Sequence, residues 1–100
     1  MKFVELDAKA FKAEVELNKK PCLLDVREEY EFEDSNIGGR NIPMSEVLSH
    51  LEELKDNTDI FVICKSGKRS KAVAYHLSKE LDNCKIYSCN GGIEAYTQLS

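Results

Sequence analysis

The 100-residue sequence predicts an α/β fold, a sheet of short parallel strands covered by helices, on three observations. Apolar runs of four or five residues alternate with helix-period patterns from one end to the other. Residues 60–64, IFVIC, are apolar at all five positions, which suits a strand buried on both faces. With 42% hydrophobic and 32% charged residues and no Pro/Gly-rich linker or repeat, residues 1–100 are expected to form a single domain.

FVEL at 3–6 reads as the first strand, after which Asp7 can cap a helix with Ala8, Phe11 and Val15 on its apolar face. CLLDV at 22–26 is a second strand, and the acidic stretch REEYEFED carries a short helix. Ile42 falls in a brief extended segment, and Ser45 can cap a helix that turns Val47, Leu48, Leu51 and Leu54 inward. After the central strand at 60–64 and a basic loop, Val73, Ala74, Leu77 and Leu81 mark one side of a helix. KIYSC at 85–89 supplies the last strand, and Gly91 and Gly92 turn the chain into a final helix with Ile93, Tyr96 and Leu99 at three-residue spacing.

A formal net charge of −4 argues against a general nucleic-acid binder, which needs a broad basic face. The opening MKFVELDAKAFKAEVELNKK has no continuous apolar core, and no run approaches a membrane span. The expectation is a cytoplasmic monomer with no nucleic-acid or membrane partner. Four cysteines, Cys22, Cys64, Cys84 and Cys89, are then expected to be free thiols. Their spacings match no zinc pattern, and neither His50 nor His76 has a ligand at helical spacing, so no metal and no cofactor is expected.

The local charge runs against the global sign. Cys64 closes the central apolar run and is followed by Lys65, Ser66, Gly67, Lys68, Arg69 and Ser70. In open α/β sheets ligands gather beyond the carboxyl ends of the strands, where a loop enters a helix whose first N–H groups are unpaired. Backbone N–H groups, the helix dipole and nearby cations all favour a thiolate there, below the free cysteine value of about 8.5. Gly67 allows backbone angles that other residues resist, and Ser70 can cap the helix or bond the sulfur.

Cys64-Lys65-Ser66-Gly67-Lys68-Arg69-Ser70 resembles the C-x-x-G-x-[RT]-[ST] loop of rhodanese-like sulfurtransferase domains. LLDVREEYEF at 23–32, NIP at 41–43 and GGIEAY at 91–96 are similar to further family segments. Ser35-Asn36-Ile37 stands where the family usually has Gly-His-Ile, and Tyr96 where it has a closing Trp. The resemblance implies a rhodanese-like three-layer fold, a five-stranded parallel sheet with helices on both faces. It also implies that Cys64 takes sulfane sulfur as a persulfide and passes it to a thiol, cyanide or protein acceptor. Phosphatase loops of the C-x5-R type are a chemical rival, but only four residues separate Cys64 from Arg69, and Ile63 replaces the usual preceding His.

Lys65, Lys68 and Arg69 are expected to attract a small anionic sulfur donor such as thiosulfate, with Arg69 as its direct contact. Asp25 and Arg27 resemble the family's D-x-R, with two readings open: they reach the site, or they form a structural ion pair that holds the loop at the strand's end. Cys22 and Cys84 read as strand residues that pack as small hydrophobes, and Cys89 reads as packing too. The alternative functions are a partner-binding module without turnover and a dedicated sulfur carrier serving thiolated cofactor or tRNA synthesis, whose acceptor is a protein.

Overall fold

A computed structural model describes residues 3–99. Five parallel strands form one sheet: β1 (Phe3–Leu6), β2 (Cys22–Asp25), β3 (Arg40–Asn41), β4 (Asp59–Ile63) and β5 (Lys85–Cys89), in the order β1-β5-β4-β2-β3. The apolar run is the central strand because both of its neighbours and both of its faces are covered. Leu24 pairs with Val62 on one side and Val62 with Ser88 on the other.

Alternate residues of β4 feed two separate cores. Ile60 and Val62 pack with Leu24, Val26 and Ile86 beneath α4 (Lys68–Glu80), which contributes Val73, Ala74 and Leu77. Phe61 and Ile63 pack on the opposite face with Ala8 and Phe11 of α1 (Ala8–Leu17) and Ile93 of α5 (Gly92–Tyr96). Phe11 meets Phe61 edge-on at 5.6 Å and Tyr96 at 6.4 Å, so Tyr96 holds α5 against α1. Asp7 caps α1 as expected, its Oδ1 accepting from Ala10 N–H at 2.8 Å.

Three expectations are corrected. The Ser45-capped helix is a 3-10 segment over Met44–His50 that becomes α-helical only for one turn, α3 (Leu51–Leu54), and it starts after Pro43 rather than Ser45. The tighter 3-10 winding shifts side chains off the 3.6-residue stripe. Val47 and Leu54 remain buried, while Leu48 is left 52% exposed. The central strand ends at Ile63, so Cys64 already belongs to the loop, and Cys84 lies before β5 rather than in it.

Between β2 and β3, α2 (Glu29–Asp34) opens with a reciprocal capping box in which Glu31 Oε1 accepts from Glu28 N–H at 2.9 Å. This short helix brings acidic side chains alongside the loop after β4.

Candidate functional site

Cys64 leaves β4 at the carboxyl edge of the sheet, and the chain closes a tight loop before α4 begins at Lys68. Gly67 makes the closure possible: it sits at φ 104, in the left-handed region, at the helix N-cap. The loop curls around the sulfur. Sγ of Cys64 accepts from the N–H groups of Gly67 at 3.1 Å and Ser70 at 3.2 Å. Among the described residues no protein acceptor takes the N–H groups of Lys65, Ser66, Lys68 or Arg69. A sulfur with two N–H donors on it and more around it is placed to carry negative charge.

The loop is held from below by α5. Ile93 N–H donates to Cys64 O at 2.8 Å, and Glu94 N–H to Lys65 O at 3.1 Å. The Gly91-Gly92 turn thus positions the loop's first two carbonyls.

Ser70 plays a different part from the one its position suggests. Its backbone N–H reaches the sulfur, but its hydroxyl turns away, donating to Gly67 O at 3.1 Å and meeting Ser88 Oγ at 2.9 Å. Gly67, not Ser70, is the N-cap. Ser66 is exposed and its hydroxyl is unbonded among the described residues. Lys65 and Lys68 are exposed and form no ion pair among the described residues.

Arg69 is occupied. Its two terminal nitrogens grip Glu31 of α2, Nη1 to Oε1 at 2.7 Å and Nη2 to Oε2 at 3.0 Å. Hydrogen bonding from Arg69 holds the Glu31 carboxyl down at about 2, and the same contact raises Arg69. Sequence reasoning missed Glu31, although the Glu28-x-x-Glu31 spacing of a capping box marks where that carboxylate would be fixed. It missed Ser88 as well, a lone hydroxyl on the last strand.

Asp25 and Arg27 form a buried pair at 2.9 Å, and Arg27 Nη2 also donates to Ser35 O at 2.7 Å. The guanidinium ties the end of β2 to the end of α2, which is the structural one of the two readings.

Beside the loop lies a groove of about 440 Å³ whose floor is Val47 and Val73 and whose rim carries Met44, Leu48, Glu28 and Arg69. Among the described residues no group of three His, Cys, Asp or Glu side chains is close enough to hold a metal ion. No helix among them is long and apolar enough to cross a membrane.

A parallel sheet with helices on both faces and a cysteine loop at its carboxyl edge defines the rhodanese-like class. The chain belongs to that family: residues 7–99 match the rhodanese-like domain. YrkF of Bacillus subtilis, named for a sulfur-carrier role, is 39% identical over 77 residues, which cover 76% of this chain and 42% of that protein. The chain therefore spans less than half of YrkF's length. YtwF of the same organism, named for sulfur transfer, is 29% identical across 96% of this chain and 92% of its own. A rhodanese-related protein from Thermoplasma volcanium superposes with a TM-score of 0.79 at 30% identity, covering 96% of this chain and 92% of that one.

Proposed function

We propose that the chain is a cytoplasmic sulfurtransferase domain in which Cys64 carries a sulfane sulfur between a donor and a second nucleophile. The observation that carries this reading is the sulfur of Cys64 held by Gly67 and Ser70 N–H, with four further N–H groups of the loop unspoken for. The names of YrkF and YtwF, which are similar to this chain in sequence, support it.

In the loading step the Cys64 thiolate attacks the outer sulfur of the donor. With thiosulfate the S–S bond breaks, its electron pair leaves on sulfite, and Cys64 retains the transferred sulfur as a persulfide anion. The N–H groups of Lys65, Ser66, Lys68 and Arg69 are then available to the new terminal sulfur. In the release step the acceptor, a thiolate, cyanide or a protein thiol, attacks that terminal sulfur. The S–S bond breaks and the electron pair returns to Cys64 as thiolate. Each step exchanges one sulfur bond for another, so neither requires an external oxidant or reductant.

Intact mass measured after incubation with thiosulfate or an alkyl persulfide tests the proposal. The expected result is a gain of one sulfur atom by the wild-type chain, removed by cyanide with release of thiocyanate, and none by Cys64→Ser. A wild-type chain that gains no sulfur from either donor, or a Cys64→Ser chain that still turns over, would overturn it and favour a partner-binding module.

A further inference from the structure

The loop is basic in sequence and acidic in its surroundings. Its one guanidinium is held by Glu31, and Glu28 also faces Arg69 across the rim of the groove. On the other side, the cleft that reaches Lys65 is walled by Glu31, Asp34 and Glu94, with Arg27 there already committed to Asp25. Four carboxylates therefore stand around a loop whose cations without an ion pair among the described residues are the exposed Lys65 and Lys68.

We propose that Glu31, seconded by Glu28, sets the donor selectivity of the site, turning it away from small dianions and toward organic persulfides that carry at most one negative charge. The inference rests on the sulfurtransferase reading of Cys64. Its geometric basis is the way Arg69 is gripped. Glu31 takes one N–H from each terminal nitrogen, which neutralises the guanidinium but leaves its Nε–H side unused by any hydrogen bond among the described residues. Arg69 can still donate a hydrogen bond to an uncharged atom, yet it no longer attracts a dianion as a free cation would.

Glu31 cannot easily step aside. Its Oε1 also accepts from Glu28 N–H at 2.9 Å, so moving the carboxylate would undo the start of α2 as well as the ion pair. Thiosulfate reaching for Arg69 must displace this carboxylate or sit beside it, and both cost free energy through like-charge repulsion. A persulfide R–S–S–H avoids most of that cost. The Cys64 thiolate attacks its outer sulfur, the donor's S–S bond breaks with its electron pair going to the inner sulfur, and R–S⁻ leaves while Cys64 becomes Cys64–S–S–H. Sulfur, proton and charge are conserved between the two sides.

The test measures second-order rates of sulfur loading on Cys64 by intact mass, with thiosulfate and with the persulfide of 2-mercaptoethanol as donors. In Glu31→Gln the thiosulfate rate divided by the persulfide rate is expected to rise about tenfold over wild type, and further in Glu28→Gln/Glu31→Gln. Salt provides a reading that needs no variant. Wild-type loading from thiosulfate is expected to hold steady or quicken as salt screens the carboxylates, while in Glu31→Gln it slows as salt screens a freed Arg69. A ratio that stays within about twofold of wild type in both variants, or wild-type thiosulfate loading that falls steeply with salt, would overturn the selectivity role while leaving sulfur transfer intact. A wild-type chain that loads from neither donor would sink both readings together.

Discussion

Ser70 and Ser88 meet beneath the sulfur loop with their hydroxyl oxygens 2.9 Å apart, both side chains buried. Ser70 spends its only hydroxyl proton on Gly67 O, so Ser88 is the donor of the pair. The resulting chain runs from β5 through Ser88 and Ser70 to the Gly67 carbonyl. It fixes the residue whose backbone N–H lies 3.2 Å from Cys64 Sγ.

The two substitutions are predicted to differ. Ser70→Ala strands the Ser88 proton in a buried place and leaves the Gly67 carbonyl with Lys71 N–H alone, at a cost of about 2 kcal/mol, and slows sulfur loading severalfold. Ser88→Ala leaves only an acceptor lone pair unmet and costs about 1 kcal/mol or less. Urea denaturation of both single variants and the double variant checks the order, and the double variant is expected to be less destabilised than the sum. Equal costs for the two single variants would show that the hydroxyl chain does not hold the loop.

Gly92 is predicted to be the least replaceable residue around the site. A Cβ there would lie 2.4 Å from both the Cys64 and the Lys65 carbonyl oxygens, and the backbone is at φ 58. Those carbonyls are also the acceptors for Ile93 and Glu94 N–H, so neither can retreat without breaking the bonds that position the loop. Gly92→Ala is expected to cost about 3 kcal/mol or more and to abolish sulfur loading in whatever fraction folds. A Gly92→Ala chain with near wild-type melting and loading would refute the close approach.

Much of this architecture is legible in the residues, and the physical reason is period. An unbroken apolar run of five residues can only be buried on both faces, so 60–64 announced a central strand. Asp7 announced a cap, because its side chain and the apolar stripe after it are separate signals that agree. Leu48 misled because the 3-10 winding of Met44–His50 breaks the 3.6-residue periodicity on which the inward assignment depended. The partner of Arg69 was illegible for another reason. Glu31 is 38 residues away in sequence, and although the capping-box spacing fixes its carboxylate locally, nothing in it says that the carboxylate meets the loop after β4.

The Glu31–Arg69 pair makes a prediction about acid. The folded-state carboxyl is held at about 2 against an ordinary 4.5, chiefly by hydrogen bonding from Arg69. A depressed carboxyl contributes stability that is fully present above the unfolded value and is lost as pH falls from there through the folded value. Wild-type stability is therefore expected to drop between about pH 4.5 and about pH 2 by more than that of Glu31→Gln, which lacks this proton-binding site. Urea midpoints collected across that window measure the difference, and parallel curves would mean the pair contributes nothing to the pH slope. The pair is partly exposed, so the gap is expected to be modest and to shrink with salt.

Cys89 supplies the last prediction, since a second thiol on the neighbouring strand could resolve the Cys64 persulfide as a disulfide. The sheet argues otherwise. Cys64 packs in the core beneath α4 with Val62, whereas Cys89 is fully buried in the opposite core with Phe11, Phe61 and Ile63. Cys64 sits in the loop past β4 and Cys89 at the end of β5, so the two thiols lie in cores on opposite faces of the sheet. Burial also pushes the Cys89 thiol up to about 11, which leaves little thiolate to attack a persulfide at neutral pH. Cys89→Ala is thus expected to keep sulfur turnover within about threefold of wild type, a barrier change under about 1 kcal/mol. Its folding stability is expected to fall by about 1 kcal/mol through the lost core volume. Mild oxidation of the wild-type chain followed by peptide mapping is expected to yield no Cys64 to Cys89 crosslink. That disulfide in high yield would move Cys89 out of the core and into the mechanism.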